Sequence, residues 1–133
     1  MTYAFGPISE ARLKDLHPDL VRVYRRAMSW QLLDFMILET VRTQAAANDN
    51  AAKGTGIKSS KHLRQPDGFA HACDAVPYPV DWKDTKRFDF LAGVIAAAAK
   101  VEDVAVRWGG NWDGDNDFHD NSLEDLPHFE LVA

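Results

Sequence analysis

Apolar residues recur at helical spacing early in the chain. Leu20, Val21, Val23, Tyr24, Ala27 and Met28 line one side of a stretch whose other side carries Arg22, Arg25 and Arg26. This predicts an amphipathic helix of about three turns with a solvated basic face. His17-Pro18 marks its start, because Pro at the first helical position gives up an N–H that has no partner there anyway. A short helix over residues 9–16 precedes it. After it, Phe35-Met36-Ile37-Leu38 is a brief apolar run with polar punctuation on both sides, which suits a buried strand.

Residues 45–60 are rich in Ala, Asn, Gly, Lys and Ser, with Gly54 and Gly56 as breakers, and read as a short helical piece followed by a mobile loop. Residues 70–76 form a second strand candidate, closed by Pro77-Tyr78-Pro79. Residues 87–101 carry Phe88, Phe90, Leu91, Val94, Ile95 and an alanine run, a helix apolar around most of its circumference and therefore packed in the core. Alternation over residues 104–108 predicts a strand ending at Gly109-Gly110, and residues 128–132 a last strand. With helices first and a small sheet after them, the expected class is α+β, an antiparallel sheet with helices packed on it.

Size and composition narrow the function. The chain has 133 residues, 46% of them apolar and 26% charged, which predicts one folded domain spanning residues 1–133. No linker suggests a separate wall-binding domain. A formal charge of −5 opposes binding to nucleic acid. The start, Met1-Thr2-Tyr3-Ala4-Phe5-Gly6-Pro7, lacks the basic and apolar segments of a signal peptide, and no apolar run is long enough to insert in a membrane. The lone Cys73 has no internal disulfide partner and reads as a small core residue.

Three segments carry candidate chemistry: Ser60-Lys61-His62, His71-Ala72-Cys73-Asp74 and Asp125-Leu126-Pro127-His128-Phe129-Glu130. Imidazole nitrogen and carboxylate oxygen are zinc ligands, and a catalytic zinc site uses three of them with one position open to water. Taken singly, each histidine is as readily a hydrogen-bonded or exposed side chain, and His17 and His119 are read that way.

In combination, Ser60-x-His62, Ala72-x-Asp74 and Asp125-x-x-His128 resemble, in that order, the motifs of the zinc peptidases of the D-alanyl-D-alanine carboxypeptidase and L-alanyl-D-glutamate endopeptidase group. Single-domain phage endolysins are the nearest type. The likeness extends to residues 13–26, to Arg42-Thr43 and to Arg107-Trp108-Gly109-Gly110. It implies that His62, Asp74 and His128 hold Zn2+ and that Asp125 is the general base, with Glu124 competing for that role. It implies further that Arg42 holds the substrate carbonyl or the developing oxyanion and that Ser60 contacts bound peptide. Trp108 and Trp112, which flank the glycine turn, are the aromatics best placed to line a substrate groove.

One departure stands out. His62 lies twelve positions before Asp74, more than in the compact family spacing, and Arg64-Gln65-Pro66-Asp67-Gly68 looks like an inserted turn. The insertion leaves His71 as a rival first ligand. A second metal question arises at Asp113, Asp115, Asp117 and Glu124, which fall at carboxylate positions of a Ca2+ loop, although Phe118 stands where that pattern wants Gly.

The resemblance implies a monomer acting on bacterial peptidoglycan at the L-Ala–D-Glu bond. Such an enzyme would be made in the host cytoplasm without a signal peptide and reach the wall after holin-type release. Two alternatives stay open: a D-Ala-D-Ala carboxypeptidase of the same group, and a catalytically inactive wall-binding or virion structural module.

Overall fold

The computed structural model describes residues 2–41, 61–110 and 125–132. Within them the elements run α1 (Pro7–Leu13), α2 (Pro18–Ser29), β1 (Phe35–Glu39), β2 (Ala72–Pro77), α3 (Thr85–Glu102), β3 (Val106–Gly109) and β4 (Asp125–Leu131). The four strands form one sheet in the order β1-β2-β4-β3, every neighbouring pair antiparallel. The class is α+β with two helices leading, as the hydrophobic pattern predicts. No helix among the described residues is long and apolar enough to cross a membrane. The helical piece and loop expected over residues 45–60 lie outside the described residues.

Element boundaries differ from the sequence expectation where capping decides them. The first helix starts at Pro7 and ends at Leu13, because successive three-residue turns at Lys14, Asp15 and Leu16 tighten the chain. That turn delivers the His17 N–H to the Ala70 carbonyl at 3.0 Å. His17 then caps α2, its Nδ1 accepting from the Asp19 N–H at 3.0 Å, with Pro18 first in the helix. At the other end of the chain, β4 begins at Asp125, three residues before the periodicity indicates. Pro127 is tolerated in this inner strand because the ladder to β3 skips there, pairing Trp108 with Phe129 and then Gly109 with Asp125.

The core sits between helices and sheet. Leu20, Val23, Tyr24 and Ala27 of α2 and Leu91, Ile95 and Ala98 of α3 are buried in one cluster with Phe35, Ile37, Cys73, Ala75, Phe129 and Leu131 from the strands. Each such Leu, Ile or Phe contributes about 1.5–3 kcal/mol by leaving water. Because strand side chains alternate, placing Cys73 and Phe129 in the core sends their neighbours Asp74, His128 and Glu130 to the opposite face. Asp74 and His128 pair directly across β2 and β4, and a register shift in β1 brings Glu39 opposite Asp74. The core therefore sets the address of the polar face.

The glycine turn after β3 is sterically required. A Cβ on Gly109 would lie 1.9 Å from the Asp125 carbonyl oxygen, and one on Gly110 would meet the Trp108 ring at 2.5 Å. Gly109→Ala is expected to destabilise the chain by about 1–3 kcal/mol, since backbone must shift to admit the methyl group. Urea unfolding of the variant checks this, and an unchanged midpoint would show that the strands separate without cost.

Candidate active site

His62, Asp74 and His128 meet on that polar face. His62 Nε2 lies 3.2 Å from Asp74 Oδ1 and 3.2 Å from His128 Nδ1, and His128 Nδ1 lies 3.4 Å from Asp74 Oδ1. Both rings are buried. For ligand bonds of about 2.0–2.1 Å, tetrahedral geometry separates neighbouring ligand atoms by roughly 3.3–3.4 Å. The triangle of donor atoms thus has the dimensions of one face of such a site.

The outer nitrogens settle what the inner ones offer. His62 Nδ1 lies 2.9 Å from the Thr40 carbonyl oxygen, which only accepts, so Nδ1 carries the proton and Nε2 presents a lone pair. His128 Nε2 likewise donates to Glu130 Oε1 at 2.9 Å, and in the neutral ring this leaves Nδ1 as a second lone pair. Asp74 Oδ1 is buried without a hydrogen-bond partner among the described residues. Two imidazole lone pairs and a carboxylate oxygen converging on one point repel each other unless a cation lies between them. Orienting partners on the far side of each ring are the usual support for metal-ligating histidines.

The electrostatics agree. Burial alone would raise the pKa of Asp74, but the two rings beside it, His128 and His62, hold it well below the usual carboxylate range. Burial would lower that of His128, yet Asp74 and Glu130, with a contribution from Asp125, raise it to about 9. Glu130, also penalised by burial, is drawn down to about 2 by His128 and Lys61, whose Nζ lies 3.0 Å from Glu130 Oε2. In the metal-free chain a proton on His128 therefore serves as the site's cation.

A raised folded-state pKa means that the native chain binds more protons than the unfolded one between about pH 6.5 and 9. Stability from this network is fully present below that window and is lost as pH rises through it. Chemical unfolding of metal-free protein from pH 6 to 10 is expected to show that decline, and a flat profile would contradict the assignment.

Asp125, the first residue of β4, stands at the rim with its carboxylate half exposed and Oδ2 4.0 Å from His128 Nδ1. It is near the inner nitrogen without being one of the three converging donors. The indole N–H of Trp108 donates to the Leu126 carbonyl at 2.7 Å, and its ring packs against the core. This bond holds the segment that follows Asp125. Glu39 Oε1 lies 3.8 Å from His62 Nδ1.

His71 is elsewhere: its Nε2 lies 2.7 Å from Asp67 Oδ2, with His17 close by, so His62 is the histidine brought beside Asp74 and His128. Arg42, Ser60, Trp112, Asp113, Asp115, Asp117 and Glu124 lie outside the described residues. Sequence reasoning missed Thr40, Lys61 and Glu130. Glu130 had a signal, since it stands two residues after His128 on a strand and so shares its face. Thr40 acts through its carbonyl, which no side-chain motif reveals.

Comparison with known proteins identifies the family. The chain belongs to the phage L-alanyl-D-glutamate peptidase family, whose model matches residues 1–132. It is 32% identical to the L-alanyl-D-glutamate peptidase of Escherichia phage T5, over 99% of this chain and the whole of that protein. Its fold is similar to that of the Serratia marcescens L-Ala D-Glu endopeptidase ChiX, with a TM-score of 0.79 and 31% identity, covering 97% of this chain and 90% of that one.

Proposed function

We propose that this chain is a zinc-dependent peptidoglycan peptidase that hydrolyses the L-Ala–D-Glu bond of bacterial stem peptides, with His62, Asp74 and His128 as the zinc ligands. The observation that carries the metal reading is the convergence of His62 Nε2, Asp74 Oδ1 and His128 Nδ1 into a triangle with sides of 3.2–3.4 Å. Two nitrogens and one carboxylate oxygen suit zinc, and three protein ligands leave a position for water. The family and both relatives carry the L-alanyl-D-glutamate name, which favours that bond over D-Ala–D-Ala.

When bound, zinc lowers the pKa of water toward about 7 and polarises a carbonyl oxygen. The chain's own groups do the rest. Thr40 and Glu130 fix the two rings through their outer N–H groups, and Lys61 holds Glu130 in place. Asp125 takes the proton that water loses as its oxygen bonds to the L-Ala carbonyl carbon, and passes it to the D-Glu nitrogen as the C–N bond breaks. The products are a carboxylate on L-Ala and a free amine on D-Glu. Arg42 would hold the carbonyl oxygen as charge develops there, and Ser60 and Trp108 would contact the peptide.

Mass spectrometry of purified peptidoglycan after digestion tests this reading. Stem peptides beginning with D-Glu are expected, abolished by prior chelation and restored by Zn2+. Released D-Ala would identify a carboxypeptidase instead, and intact wall with zinc-loaded protein would identify an inactive module.

A further inference from the structure

The turn over residues 64–68 builds a second cluster of ligating groups. Asp67 lies within Arg64-Gln65-Pro66-Asp67-Gly68, and its carboxylate faces His17 at the start of α2 and His71 just before β2. One donor atom from each of the three lies within 4.8 Å of the others. We propose that His17, Asp67 and His71 form a second metal site, separate from the His62 cluster, that takes a divalent transition ion such as zinc.

The scaffold holding these groups is tied down on every side. Leu16 and Ala70 form a parallel bridge, the His17 N–H donates to the Ala70 carbonyl, and the Ala70 N–H donates to the Asp15 carbonyl. Arg64 bonds the Gly68 carbonyl at 2.6 Å and Asp15 Oδ1 at 3.0 Å, closing the turn onto the segment before α2. His71 is fixed by its N–H to the Lys61 carbonyl and by its carbonyl, which accepts from the Leu131 N–H.

Within that frame the donors are aimed at one another. Asp67 Oδ1 accepts from the Phe69 N–H at 3.0 Å, which orients the carboxylate and leaves Oδ2 for the rings. Oδ2 lies 2.7 Å from His71 Nε2 and 3.7 Å from His17 Nε2, and the two rings stand nearly perpendicular with centroids 5.0 Å apart. Hydrogen bonding from the Phe69 N–H, then from His71, keeps Asp67 below the usual carboxylate range, so it is charged at neutral pH. With every donor pair within 4.8 Å, shifts of under about an ångström at each donor would bring the set to the spacing of roughly 3.3–3.4 Å that a small tetrahedral ion needs.

His17 sets the condition for occupancy. Its Nδ1 accepts the α2 capping bond, so in the neutral ring Nε2 carries the proton. Metal at Nε2 moves that proton to Nδ1, where Asp19 Oδ2, now 3.9 Å away, becomes its acceptor in place of the lost cap. Occupancy would thus tie the inserted turn to the start of α2. That turn joins His62 to Asp74, so the second ion would stiffen the connection between two ligands of the first.

The test is equilibrium dialysis of the metal-depleted full chain against Zn2+ alone, for the wild type and for an Asp67→Asn/His71→Gln double variant. Zinc content and histidine 15N NMR are the readouts. The variant is expected to bind one equivalent less than the wild type. In the wild type, the ring nitrogens of His17 and His71 are expected to shift together as that equivalent enters. The difference between the two chains is the readout, so it stands whatever the His62 cluster holds. Equal zinc in both chains, or ring nitrogens of His17 and His71 that do not move at saturation, would overturn the site.

Discussion

Asp125→Asn is expected to keep its zinc and to lose turnover on peptidoglycan fragments by on the order of 10²–10⁴-fold, the range for removal of a general base. Asn has nearly the shape of Asp, so the start of β4, the approach of Gly109 and the Trp108 bond to Leu126 are preserved. What is lost is the capacity to accept a proton. Because Asp125 Oδ2 is 4.0 Å from His128 Nδ1 and outside the triangle of donors, the metal has no reason to leave. Near-normal turnover in this variant would move the base to Glu124.

Asp74→Asn is expected to have the opposite signature, losing metal first and activity with it. The substitution removes the one negative charge among the three converging donors. Outer partners of ligating histidines are typically worth 10–100-fold in metal affinity, and loss of an anionic ligand is expected to exceed about 100-fold. The metal-free variant is also informative. Without the Asp74 carboxylate, His128 loses the largest of the attractions that oppose its burial, and its pKa falls from about 9 toward the value that burial favours. Histidine NMR titration reads that change directly, and stoichiometric zinc in Asp74→Asn would remove Asp74 from the ligand set.

Much of this architecture was legible in the sequence because amphipathic spacing and the three short motifs are local signals. Leu20 through Met28 predict α2, and Ser60-x-His62, Ala72-x-Asp74 and Asp125-x-x-His128 point to the residues that converge. The rivalry between His62 and His71 was decidable from strand parity: His71 stands three residues before Asp74 in extended chain, so the two point to opposite faces. Less legible was the early start of β4, since Pro127 argues against a strand until the skipped pairing with β3 is known. Backbone contributions were invisible. The Thr40 carbonyl orients His62, and the His17–Ala70 bond places the inserted turn, yet neither leaves a mark in side-chain pattern.

The most direct measurement is an anomalous difference map at the zinc edge from crystals of the zinc-loaded chain. A strong peak bounded by His62 Nε2, Asp74 Oδ1 and His128 Nδ1 is the expected result. No peak there, or a peak at His17, Asp67 and His71 alone, would contradict the assignment of the catalytic metal.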